Sequence, residues 1–205
     1  MEQAHVRRAH GILIMKRRHR IIRSLGKTVP RPVLYGTQVW RSSFTMMNYL
    51  DAHPIEPGRR VVEIGCGWGL TGIFCAKRFG ASVLLTDRDA HVFPYVRAHE
   101  ALNGVRVATE HTPLEKLSDH RLGETDIILG SDICFWPELA TALRSFITRA
   151  LAQGVRRIVL ADPGRSTFLR LADYCRDYLA ADLIPWRTET RSKDQGYLLV
   201  VDNRT

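Results

Sequence analysis

A chain of 205 residues, 45% apolar and 25% charged, has the size of one α/β domain and the make-up of an ordinary globule with a sizeable core. No apolar run approaches the roughly 20 residues of a membrane span. Cys66, Cys75, Cys134 and Cys175 lack C-x-x-C or Cys/His ligand spacing, which argues against zinc and disulfides and for a reducing compartment. The net charge of +9 is local: residues 1–41 hold ten Lys/Arg and one acid, whereas residues 42–205 hold 20 of each sign.

Residues 5–25 predict a basic amphipathic helix. Ile12, Leu13, Met15, Ile21, Ile22 and Leu25 form its irregular apolar stripe, and Lys16-Arg17-Arg18-His19-Arg20 is its densest charge. Pro30 and Pro32 end it, so residues 1–35 read as a basic helical extension and residues 36–205 as the main domain. A helix at 40–52 follows, then Pro54, Pro57 and Gly58 break the chain. From there strands and helices alternate: strand 60–65, helix 69–79, strand 82–87, helix 90–102, strand 105–110. After an irregular crossover at 112–124 come strand 126–131, helix 137–152, strand 156–161 and helix 166–179, which Ser166 is placed to cap. The last strands, 182–190 and 196–202, are separated only by residues 192–196, too few for a helical crossover. They therefore pair as an antiparallel hairpin. The fold class is α/β, a doubly wound sheet with its ligand crevice at the carboxyl ends of the strands.

The run Val61-Val62-Glu63-Ile64-Gly65-Cys66-Gly67-Trp68-Gly69 carries most of the chemistry. Alternating glycines between a strand and a helix tolerate positive φ and leave bare backbone for a ligand to lie against. The helix that follows aims its free N–H groups and positive dipole end at the same turn. Gly67-Trp68-Gly69-Leu70-Thr71-Gly72 also satisfies the dinucleotide pattern G-x-G-x-x-G, with Asp87 twenty residues on. Two features oppose that reading: Gly67 lies two residues late for the first glycine of such a site, and dehydrogenase sheets continue with parallel crossovers where this chain ends in a hairpin.

The pattern Glu63-x-Gly65-x-Gly67-x-Gly69, with Asp87 ending the next strand and a terminal hairpin, resembles the class I S-adenosylmethionine-dependent methyltransferases. Gln38-Val39-Trp40-Arg41-Ser42-Ser43 ahead of the first strand, and Ser131-Asp132-Ile133-Cys134-Phe135 after the fourth, are similar to the seven-strand "family 16" protein lysine methyltransferases. Ala161-Asp162-Pro163-Gly164-Arg165 is similar to a D-P-G-R segment of the electron-transfer-flavoprotein β-subunit lysine methyltransferases and of predicted nicotinamide N-methylases. The likeness covers residues 36–202 and implies a seven-strand Rossmann-like sheet. One departure is that His111-Thr112-Pro113-Leu114 stands where the lysine group often carries an acid–Trp pair beside the adenine.

The resemblance implies S-adenosyl-L-methionine as cofactor, leaving as S-adenosyl-L-homocysteine, and no metal. Cofactor contacts are assigned to Trp40, Glu63, Gly65, Cys66, Gly67, Gly69, Asp87, Arg88 and Ser131. Glu63 would accept from the cofactor's ammonium and Asp87 from both ribose hydroxyls, while Trp40 would offer its face to the sulfonium. Asp132 and Phe135 are the candidates beside the reacting atoms, Asp132 as an aligner of the acceptor amine more than as its base. Asp162 and Arg165 either contact substrate or pair with each other. His91, His99 and His111 are given no chemistry. The expected activity is N-methylation of a protein lysine, the basic extension docking an acidic surface of the partner protein. A small-molecule amine is the rival acceptor. A non-catalytic nucleic-acid-binding protein is a third reading, opposed by the lack of any Phe, Tyr or Trp in residues 1–34. Location follows as cytoplasmic, or mitochondrial in a eukaryote, since the Arg-rich, acid-poor start shares the composition of a transit peptide.

Overall fold

The computed structural model describes residues 5–32, 36–187 and 195–203. Its main body is a seven-stranded sheet built from β3 (Arg60–Ile64), β4 (Ser82–Asp87), β5 (Ala108–His111), β6 (Ile127–Ser131), β7 (Arg157–Asp162), β8 (Ala181–Arg187) and β9 (Gln195–Asp202). The spatial order is β5-β4-β3-β6-β7-β9-β8. The first five run parallel, and β9 lies antiparallel between β7 and β8. This is the expected alternation closed by the expected hairpin; residues 188–194, and with them most of the connection between its strands, lie outside the described residues.

Each central strand is apolar on both faces, as a sheet covered on both sides requires. Val61, Leu129, Val159 and Leu198 face one core, shared with α2 (Ser42–Ala52), α3 (Leu70–Phe79) and α4 (Phe93–Asn103). Val62, Ile128, Ile158 and Leu199 face the other, shared with α6 (Pro137–Ala152) and α7 (Ser166–Tyr178). A short helix, α5 (Asp119–Gly123), occupies the crossover after β5. The chain turns back after β3, toward β4 on one side and β6 on the other, so a crevice opens where their carboxyl ends part. Among the described residues no helix is long and apolar enough to cross a membrane.

The amino-terminal region departs from expectation. Residues 5–25 are not one helix: β1 (Val6–Ala9) and β2 (Ile12–Met15) form a hairpin, and α1 covers only Arg20–Thr28. His10 (φ 47°) and Gly11 (φ 75°) are the two central turn residues, and positive φ at both is what a tight two-residue hairpin turn needs. The unbroken run Ile12-Leu13-Ile14-Met15 has no helical period either; Ile12, Ile14 and Met15 are at most 2% exposed. Another correction concerns α7, whose cap position falls on Arg165 rather than Ser166, with no side-chain capping bond.

The hairpin is fastened to α4 by side chains that act as a strand partner. Asn103 accepts from Leu13 N–H (2.7 Å) and donates to Leu13 C=O (2.8 Å), and the buried His99 ring accepts from Met15 N–H (3.2 Å). Burial holds the His99 pKa below its ordinary value, consistent with a neutral ring that donates from Nδ1 to Tyr95 C=O. Asn103→Ala orphans both Leu13 groups. We expect it to cost about 2 kcal/mol and lower Tm by roughly 4–8 °C. A scanning-calorimetry Tm equal to wild type would show that the hairpin contributes nothing to stability.

Candidate active site

The crevice holds a cleft, open at its mouth, with an internal volume of about 120 Å³. Of the sequence-assigned residues, Trp40, Gly65, Gly67, Asp87, Arg88, Ser131, Asp132 and Phe135 line it. A smaller adjoining hollow, sharing Trp40, Gly65, Gly67 and Ser131, adds Glu63 and Cys66. Gly69 lines neither cavity. A Cβ there would meet Leu85 Cδ1 at 2.5 Å and Val96 Cγ2 at 3.2 Å, so its role is to let α3 start close against the sheet. A Cβ on Gly67 would meet nothing within 4 Å; its φ of 53° and open flank leave bare backbone facing the cavities.

Two carboxylates hold the glycine turn. Glu63, 2% exposed, alternates with Val62 and Ile64 to point at α3, where it accepts from Gly72 N–H at 2.8 Å. Burial pushes its pKa up to about 8, only partly opposed by that N–H. Asp87 accepts from Gly67 N–H (3.0 Å) with one oxygen and from Asp89 N–H (2.9 Å) with the other. Its pKa is also raised by burial, against the pull of those two donors. Asp89 in turn caps the short turn after β4 through His91 N–H (3.0 Å). The Cys66 thiol is raised well above its ordinary range by burial and by the nearby Asp87 and Glu63, so it is a wall atom and no nucleophile.

Asp132, 5% exposed and at φ 57°, has both oxygens engaged: Oδ1 accepts from Arg165 Nη1 at 2.9 Å and Oδ2 from Ser42 N–H at 3.0 Å. Through Ser42 N–H it caps α2. The same Arg165 nitrogen donates to Asp162 Oδ2 at 2.6 Å, and Asp162 Oδ1 accepts from the backbone N–H groups of Gly164 and Arg165. The open choice for Asp162 and Arg165 thus resolves to a pair that also takes in Asp132. Phe135 meets Trp40 edge to face at 5.7 Å, and Trp136 lines the cleft beside it.

The profile of the lysine methyltransferase family matches residues 33–167. The chain belongs to that family. It is 35% identical over 111 residues to protein N-lysine methyltransferase METTL21A of Danio rerio, covering 51% of this chain and 50% of that one. Histone-arginine methyltransferase METTL23 of Mus musculus is 36% identical over 115 residues, 52% of this chain and 44% of that one. The electron transfer flavoprotein beta subunit lysine methyltransferase of Danio rerio is 29% identical over 145 residues, 68% of this chain and 54% of that one. The chain spans about half the length of the curated relatives it matches. In fold it is similar to the METTL16 MTase domain, with a TM-score of 0.63 at 14% identity over 99% of this chain and 88% of that one.

Methyltransferases of this family and fold use S-adenosylmethionine. The cleft fits such a group on three counts. Ser131 Oγ is buried in its wall with no hydrogen-bond partner among the described residues; Gly67 leaves backbone bare; and the two adjoining carboxylates match a ligand with an ammonium and vicinal hydroxyls. The wall after β5 is formed by Thr112, Pro113 and Leu114, which the sequence placed by position without assigning them a contact, and by Glu115, which it missed. Their signal was positional only: the loop after a strand neighbouring the crevice, held by Thr112 N–H to Asp87 C=O (3.1 Å) and His111 Nε2 to Arg88 C=O (3.0 Å).

Proposed function

We propose that this lysine methyltransferase family member transfers a methyl group from S-adenosylmethionine to a lysine side chain of a protein. The observation that carries the reading is the gathering of Trp40, Gly65, Gly67, Asp87, Ser131 and Phe135 around one cleft at the ends of β3, β4 and β6. When bound, the cofactor supplies an electrophilic methyl on a sulfonium. Glu63 would take its ammonium, Asp87 its ribose hydroxyls and Ser131 a donor or acceptor at the buried wall, while Gly65 and Gly67 give it backbone to lie on and Arg88 flanks its edge.

A lysine ammonium, with an unperturbed pKa near 10.4, has no lone pair to offer. The acceptor therefore loses its proton to water as the Trp40, Phe135 and Trp136 wall strips away its hydration. With the cofactor bound, the amine lone pair would take up the methyl, the new N–C bond forming as the C–S bond breaks. Charge disperses in that step, so holding the three atoms in line is the main task of the walls.

The partner is inferred from charge. Residues 5–32 carry nine Lys/Arg and no acid, and Arg8, Arg17, Arg18, Arg20, Arg23 and Lys27 are exposed on the hairpin and α1. Such a surface would steer in and hold an acidic face of the substrate protein. A second reading, arginine as the acceptor, is favoured by the METTL23 relative. Incubating the protein with tritiated S-adenosylmethionine and a cell extract should put label in a protein band that yields methyllysine on hydrolysis. Methylarginine would turn the reading to the second acceptor, and label confined to small molecules would overturn the protein substrate. Arg17→Glu with Arg18→Glu should cut labelling about tenfold at unchanged cofactor affinity, lost rim charges acting mainly on encounter.

A further inference from the structure

Asp132 lines the cleft, and each of its two oxygens is also engaged within the protein. Its Oδ2 takes the N–H of Ser42, the first residue of α2, and its Oδ1 takes Arg165 Nη1. Trp40 and Gly36, both lining the cleft, stand on the segment that leads into α2. Arg165 does not line the cleft, but its guanidinium carbon sits 4.3 Å from the centre of the Phe135 ring, which does. One side chain thus touches the loops after β6 and β7 directly and, through Asp132, the start of α2.

We propose that Arg165 is a positioning residue of the cleft, clamping Asp132 against α2 and backing Phe135, so that Asp132 sets the places of Trp40 and Phe135 instead of binding the acceptor. This rests on the functional reading above. Arg165 bridges two buried carboxylates, Asp132 and Asp162, with a single nitrogen. Removing it leaves two like charges facing each other in a buried place, which forces the loops apart. Removing Asp132's charge instead leaves Arg165 with Asp162 alone and weakens the hold on Ser42 N–H. Both losses reach the cofactor side through the same wall, Trp40. They are therefore one event, and their effects should not multiply. The positive φ of Asp132 is one that asparagine also tolerates, so Asp132→Asn tests charge without new backbone strain.

The test is a double-variant cycle read by calorimetric titration with S-adenosylhomocysteine, with urea unfolding midpoints as the folding control. Arg165→Met and Asp132→Asn should each weaken binding about tenfold, the worth of one charge-assisted hydrogen bond. The double variant should lose no more than the worse single one. Arg165→Lys, whose one nitrogen can still bridge the two carboxylates, should recover most of the loss. Should Arg165→Met fail to fold, Arg165→Lys takes its place in the cycle, its smaller loss again expected not to multiply with that of Asp132→Asn. Wild-type affinity in Asp132→Asn, or single losses that multiply in the double variant, would overturn the clamp. A wild-type protein that binds no S-adenosylhomocysteine would bring down the functional reading and the clamp with it, whereas wild-type binding with unaltered variants sinks the clamp alone.

Discussion

Asp87→Ala should abolish S-adenosylhomocysteine binding at any concentration a titration can reach, while Asp87→Asn should retain binding weakened about a hundredfold. Two roles meet in this carboxylate. In the protein alone it accepts from Gly67 N–H and Asp89 N–H, tying the glycine turn to the exit of β4. It also lines the cleft next to Arg88. Alanine orphans both backbone donors, at about 1–3 kcal/mol each. On the proposed cofactor role it would also remove the acceptor for two ribose hydroxyls, each bond worth roughly 1.5–3 kcal/mol with a charged partner. Losses of that size multiply the dissociation constant by about a thousand or more. Asparagine keeps one acceptor oxygen for Gly67 or for a hydroxyl, not for all four donors, hence its intermediate place. Circular dichroism and a melt at each variant separate lost binding from lost fold. Undiminished affinity in Asp87→Ala would remove this residue from the cofactor's site.

The sheet was legible in the sequence because its signals are local. Gly80, Asn103-Gly104 and Gly154 stop the helices within about a residue of where they end, and two apolar faces per strand announce a covered parallel sheet. The hairpin of β8 and β9 followed from the shortness of the gap between them. The amino-terminal hairpin was not legible: its basic residues mimic a polar helix face, and the deciding turn is His10-Gly11, whose histidine is an uncommon occupant of positive φ. What fixes its place is long-range, namely Asn103 and His99 on α4.

The candidate site divides along the same line. One half lies within two short motifs on neighbouring strands, so the family resemblance carried by those motifs was enough to point to Glu63, Gly65, Gly67 and Asp87, which line the two adjoining cavities. The acceptor half depends on contacts between segments far apart in the chain. Asp132 to Ser42 spans 90 residues and Asp132 to Arg165 spans 33. No pattern in one sequence tells an aspartate that faces a ligand from one that fastens a helix start. The loop after β5 was located by position but given no contacts for a related reason, since its Thr112, Pro113 and Leu114 contribute shape and apolar surface instead of a recognisable donor set.

Glu63→Gln should act with opposite signs on the free protein and on its complex. Glu63 has an ordinary pKa of 4.5 and a folded pKa of about 8, raised by burial. Below pH 4.5 the carboxyl is protonated in both the folded and unfolded chain and contributes no pH dependence. Between 4.5 and 8 the folded state alone holds the proton, so stability falls by roughly 1.4 kcal/mol per pH unit as pH rises. Above 8 both states are ionised and the full cost of the buried charge stays in place. Glutamine carries no charge and keeps an oxygen for Gly72 N–H, so its stability lacks this slope. The variant should match wild type near pH 4.5 and exceed it at pH 8 by about 4 kcal/mol in urea unfolding. Cofactor affinity moves the other way. An ammonium beside Glu63 favours the ionised form, so binding to wild type at pH 7 should expel a proton, visible as heat that changes with the buffer's ionisation enthalpy. The glutamine variant would expel none and bind at least about tenfold more weakly, having lost a charge-assisted bond. Parallel stability curves for the two proteins would show that the fold does not hold Glu63 protonated, and a wild-type binding heat indifferent to buffer would show that no cation is taken up at this carboxylate.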